Sequence, residues 1–156
     1  MRNTSLHFAA EPQNFTWAKP GLHLPRKRQT SQKRVFIVSE SKLRDQSLDF
    51  AVSIINLVKE LKGQHESIIS NQIGRSGTSI GANIREAQYA HGKADFIAKL
   101  QIALKEANET GYWLELLYKT EYIDADTFKV FDAACASLRV MLVSSINTAK
   151  NNPREK

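Results

Sequence analysis

Proline and glycine are scarce in this chain: its 156 residues hold four prolines and seven glycines, and every proline except Pro153 precedes Val35. A loop-rich or all-β fold is therefore excluded. The single cysteine, Cys135, excludes an internal disulfide framework and any cysteine-based zinc site. It lies in an apolar pattern, where a buried inert thiol is expected, and a reducing cytoplasmic location fits. No run approaches the roughly 18 consecutive apolar residues of a membrane span. Arg2, His7, Glu11 and Lys19 interrupt every short apolar stretch near the N-terminus, so neither a signal peptide nor membrane association is expected.

Catalytic patterns are missing as well. Of the four histidines, His7 and His23 precede the helical region, His65 falls between helices and His91 at a helix end, so none pairs with metal-ligand spacing. Glu86, Glu106 and Glu109 raise the thought of a carboxylate di-metal bundle, but such bundles need Glu-x-x-His pairs, and this chain has none. Ser76, Thr78 and Ser79 have no histidine base. Without a strand there is no phosphate loop, and the Gly77-to-Gly81 spacing reads as packing. The chain is expected to lack catalytic residues, metal, cofactor and small-molecule substrate.

Charge is distributed unevenly. Residues 1–38 hold seven of the 22 basic residues and one of the 16 acidic ones, leaving 15 of each sign in the remainder. The formal +6 thus belongs to the N-terminal region, and the following body is neutral. Pro12, Pro20, Gly21 and Pro25 break any regular pattern there, so residues 1–34 read as a basic, disordered or loosely ordered extension. Its cluster Arg26-Lys27-Arg28 is a candidate phosphate contact. A solubilising arm is the competing reading.

The sequence from Val35 to Lys150 follows a 3.6-residue rhythm and predicts an all-α, antiparallel up-down-up-down four-helix bundle at residues 35–150, with a short tail at 151–156. Its expected helices are 41–62, 66–91, 94–119 and 124–150. The first carries Leu43, Phe50, Ala51, Ile54, Leu57, Val58 and Leu61 inward and stops at Gly63. The third buries Phe96, Leu100, Ala103, Leu104, Ala107, Leu114 and Tyr118. Asp124 caps the fourth, which points Phe128, Phe131, Ala134, Cys135, Leu138, Leu142 and Ser145 inward.

The second helix is the most informative. Gly74, Gly77 and Gly81 interrupt an apolar arc of Ile69, Ile73, Ile80, Ile84 and Ala87. Each interior glycine costs about 1 kcal/mol relative to alanine, a cost that close approach of a neighbouring helix would offset. Beside the arc, Gln72, Ser76, Ser79, Asn83 and Glu86 recur four and three apart, as a ligand groove or as register-fixing hydrogen bonds to a facing helix. Apolar surplus appears elsewhere. Ile102, Trp113, Leu116 and Leu117 project off the third helix's stripe, and Leu48, Val52 and Ile55 off the first, which predicts a homo-oligomer with Ile102, Trp113 and Leu117 in its interface.

Two segments resemble a known family: Ser76-Gly-Thr-Ser-Ile-Gly-Ala-Asn-Ile-Arg-Glu-Ala87, and the run from Asp95 to Leu117. With Leu48-Asp-Phe-Ala-Val52, they look like the bacterial four-helix-bundle proteins related to those encoded by intervening sequences in 23S rRNA genes. The likeness spans about Val35 to Lys150, and the extension before Val35 departs from it. Gly77, Ser79, Ile80, Gly81, Asn83 and Glu86 form the family motif. The resemblance implies a ring, typically a homopentamer, without enzymatic activity. More distant relatives accompany diversity-generating reverse transcriptases as nucleic-acid-binding accessory subunits, so the implied partner is RNA or an RNA-handling protein. On that reading Arg75, Arg85, Lys93 and Lys99 are the candidate phosphate contacts. The alternative is a self-assembling protein-binding module with no nucleic-acid affinity.

Overall fold

The computed structural model describes residues 31–151, with side chains from residue 42 onward. The expectations for residues 1–30 and 152–156, including Arg26, Lys27 and Arg28, lie outside the described residues. Four helices follow in order: α1 (Ser31–Gly63), α2 (Ile68–Gln88), α3 (Lys93–Lys119) and α4 (Ala125–Asn151). Each packs on its sequence neighbours and α4 closes back on α1, while the diagonal backbones stay apart, which is the arrangement of an up-down-up-down bundle.

The helix ends show why the chain turns where it does. α1 begins at Ser31, ten residues before the expected start, so the basic Gln-Lys-Arg stretch belongs to a helix. Glutamine, lysine and arginine all favour helix, and no proline follows Pro25 until Pro153. At its other end α1 closes with His65 at φ 62° and the Glu66 N–H donating to the Leu61 carbonyl. α3 closes the same way, with Glu121 at φ 62° and the Tyr122 N–H on the Leu117 carbonyl. Both are the paired turn in which a left-handed residue redirects late N–H groups onto orphan carbonyls. Gly63 is the last residue of α1, but the left-handed position belongs to His65.

α2 starts two residues later than expected because Glu66 remains outside it as a cap. Its carboxylate accepts the Ile69 N–H at 2.7 Å and the Ser70 N–H at 2.6 Å, satisfying two first-turn donors. At α4, Asp124 Oδ1 accepts the Thr127 N–H at 2.8 Å. That hydrogen bond holds the Asp124 carboxyl below its ordinary range.

The core takes Leu43, Phe50, Ile54, Leu57 and Leu61 from α1, and Ile69, Ile73, Ile80, Ile84 and Ala87 from α2. From α3 it takes Phe96, Leu100, Ala103, Ala107, Leu114 and Leu117, and from α4 Cys135, Leu138, Leu142, Ile146 and Ala149. Three expectations change. Leu117 is fully buried, so it leaves the set of exposed interface residues and joins the core. Tyr118 is 40% exposed and stacks on Phe128 with ring centroids 4.9 Å apart. Ala134 is exposed, beside the open seam between α1 and α4. α4 is also the one described helix long and apolar enough by composition to cross a bilayer. Here its inward stripe packs into the bundle, and burial pushes its Cys135 thiol up to about 11.

Candidate functional site

Helix α2 has two working sides. A Cβ built on Gly77 would lie 2.9 Å from Ile54 Cγ1, one on Gly74 3.3 Å from Val58 Cγ2, and one on Gly81 3.4 Å from the Ser47 carbonyl oxygen. All three glycines therefore face α1, and Gly77 sits where a methyl group does not fit. The other side of α2 is polar and faces α3. Thr110 Oγ1 lies 3.0 Å from Ser76 Oγ, both fully buried, and Thr110 also donates to the Glu106 carbonyl at 2.8 Å. Asn83 donates to the Ser79 carbonyl of its own helix at 2.9 Å, so its amide stays within α2. Gln72, Ser79 and Asn83 line this side half-buried.

Two ion pairs cross the same seam. Arg75 meets Glu109 at 2.6 Å, and Lys99 meets Glu86 at 2.6 Å. The hydrogen bond and charge of Glu86 raise the Lys99 ammonium above its ordinary pKa. Trp113 donates its indole N–H to Glu109 at 3.4 Å and packs partly against the core. Between these groups lies Glu106, only 9% exposed, whose Oε2 is buried with no hydrogen-bond partner. Along α3 the residues Ile102, Glu106, Glu109, Trp113 and Leu116 form one row, spaced four and three apart. Ile102 is 42% exposed, while Trp113 and Leu116 are half-buried.

The candidate phosphate contacts separate into two groups. Arg75 and Lys99 are committed to Glu109 and Glu86, and Lys93 donates to the Lys150 carbonyl at 2.9 Å. Arg85 is exposed and makes no ion pair among the described residues. On α1, Leu48, Val52 and Ile55 form a second apolar row, 41–54% exposed. Its glycine-lined flank lets the backbone of α2 lie close, and Ala82, exposed, follows Gly81 at the level of Ser47.

A third feature is a cleft of about 340 Å³ between α1 and α4, lined by Gln46, Asp49, Phe50, Ser53, Val130, Phe131, Ala134, Ser137 and Leu138. Phe50 and Phe131 meet edge to face at its base, 6.4 Å between centroids. Asp49 is its single ionisable group. No group of three metal-ligating side chains occurs among the described residues.

Sequence reasoning placed the glycines and the polar band on α2 and weighed Glu106 as a metal ligand, but missed that Glu106 is buried. The signal was available: Glu106 falls at the buried level between Ala103 and Thr110, one turn from each, where an acid interrupts an apolar stripe.

A family model described as 23S rRNA-intervening sequence protein matches residues 39–144. Among solved structures, a protein of unknown function from the S23 ribosomal protein family of Bacteroides thetaiotaomicron shares 53% identity, with a TM-score of 0.69. The match covers 70% of this chain and 98% of that one. No curated protein matches.

Proposed function

We propose, for a chain that belongs to the 23S rRNA-intervening sequence protein family, a non-catalytic role as a self-assembling helical scaffold that gathers several copies of its basic N-terminal arm onto RNA. The observation that carries this reading is the separation of charge. The net +6 resides in residues 1–38, whereas the remainder is formally neutral and ties Arg75 and Lys99 to carboxylates. Phosphate recognition then falls to the arm, with Arg26, Lys27 and Arg28 at its centre, and the bundle supplies copy number. Joining weak arms on one scaffold raises affinity through effective concentration without any new contact.

Titrating the full chain and its Arg26→Ala, Lys27→Ala, Arg28→Ala triple variant against structured RNA at 50 and 200 mM salt tests this reading. The parent is expected to lose affinity steeply between the two concentrations, as phosphate contacts release counterions. The triple variant should bind at least tenfold more weakly, with a shallower salt slope. Unchanged affinity in the triple variant would return the interface to the bundle. Absence of binding in the parent would favour the alternative of a protein-binding module without nucleic-acid affinity, for which the apolar α1–α4 cleft offers a surface.

A further inference from the structure

We propose that the cleft between α1 and α4 is the seat of this chain's own segment Phe15–Lys19, which doubles back along α1 and sets Phe15 and Trp17 in the cleft and Lys19 on Asp49. The proposal goes beyond the RNA reading and does not depend on it.

The cleft suits flat apolar groups that arrive with a positive charge. α1 and α4 are the least closely packed neighbours in the bundle, and the gap between them leaves about 340 Å³ open. That volume is within the range of pockets that enclose a small ligand. Phe50 and Phe131 meet edge to face at its base, and Val130, 69% exposed, and Ala134 form its rim on α4. From Val130 to Ala149, α4 holds only two charged residues, Asp132 and Arg139, which answer each other at 3.6 Å outside the cleft. The α4 wall is therefore uncharged. On the α1 wall Asp49 is exposed, and its carboxylate reaches no cation among the described residues. Of the nearby bases, Arg44 is paired to Asp45, Lys129 to Asp126, and Lys59 lies against Asn56 at 3.5 Å. Lys42 stands two turns along α1 from Asp49.

The sequence before Ser31 supplies the matching groups in one short stretch. Phe15, Trp17 and Lys19 are spaced by two, so an extended segment turns all three to one side. Each ring carries about 150–250 Å² of surface to bury. Phe8, the other aromatic residue there, has alanine and not a base two positions on. Glu11 is the single acid before Ser31, so Asp49 meets a segment of opposite charge. Length permits the return. The 14 residues from Trp17 to Ser31 reach up to about 46 Å when extended. Phe50 lies 19 residues into α1 from Ser31, about 28 Å along the helix axis. The segment precedes the part of the chain that the family model matches, which begins at residue 39.

Paired cysteines in the full chain test the contact. Lys19→Cys with Asp49→Cys is expected to form a disulfide within one chain. It should form about tenfold or more faster than in the same protein carrying Phe15→Ala and Trp17→Ala, because the seated rings raise the local concentration of the two thiols. Cys135 is buried and stays out of the reaction. Equal rates with and without the rings would overturn the docking. A disulfide between two chains would overturn docking on the same subunit and place the segment on a second copy. Trp113→Phe gives an independent measurement, since it leaves Trp17 as the one indole in the chain. In that protein Ala134→Arg, at an exposed position, fills the cleft mouth and offers Asp49 a nearer cation. Trp17 emission should then move to longer wavelength and its quenching by acrylamide should increase. An indole that is quenched as readily before the Ala134→Arg change as after it would overturn the proposal. No RNA enters either measurement, so failure here is distinct from failure of the RNA reading.

Discussion

Against α1, helix α2 presents Gly74, Gly77 and Gly81, which meet Val58, Ile54 and Ser47. Against α3 the same helix presents a hydroxyl pair and two ion pairs, and near them lies a buried carboxylate oxygen with no donor. The first seam is held by shape: three missing side chains let two helices approach, and the contact excludes alternatives by volume. The second adds polar pairs to its apolar packing and tolerates an unsatisfied group. One helix thus carries a close-packed joint on one side and a polar joint with an unsatisfied oxygen on the other.

Enlarging Gly77 gives the hardest test of the first seam. Ile54→Ala removes a fully buried side chain and should cost about 2–5 kcal/mol in urea unfolding. Gly77→Ala alone should cost about 1–3 kcal/mol from overpacking against Ile54, less the roughly 1 kcal/mol that alanine returns to a helix. In the Ile54→Ala background the same Gly77→Ala change should become neutral or stabilising, because the atoms it strikes are gone. Simple additivity of the two would show that the close approach seen at Gly77 is not what sets the helix spacing.

Replacing Glu106 probes the second seam with the opposite sign. Glu106→Met keeps length and removes the unsatisfied oxygen, and the protein should gain about 1–3 kcal/mol in thermal or urea unfolding. If stability falls instead, Glu106 is an ordinary structural residue, and the contrast between the seams is lost.

The smallest effect is expected at Gly81. A Cβ there meets the Ser47 backbone at ordinary contact distance, so Gly81→Ala should be neutral or stabilising by up to about 1 kcal/mol. A penalty like that at Gly77 would mean that the seam is tight along its whole length.

Much of this arrangement was legible before any coordinates. The arc Ile69, Ile73, Ile80, Ile84 and Ala87 is buried as its spacing predicts, because burial of one apolar face dominates the energetics of a helix. That the glycines mark a close approach followed from their cost. Which neighbour they approach did not, since both α1 and α3 flank α2 in an antiparallel bundle. Leu117 was misplaced because Glu106 and Thr110, both polar and both buried, interrupt the apolar reading of α3 and turn the apparent stripe toward Tyr118. The pairing of Arg75 with Glu109 joins residues 34 apart and is visible only once the helices are laid side by side.

The twin turns at His65 and Glu121 have a consequence for fidelity. Each holds a residue other than glycine in a left-handed conformation, which costs on the order of 1 kcal/mol. Each also ties a backbone N–H to the carbonyl of a leucine sealed in the core, Leu61 or Leu117. Sliding either hairpin by one residue would break that tie and turn its leucine out of the interior together. At this pole the chain therefore counts its own residues, and a miscounted helix is rejected by two penalties at once.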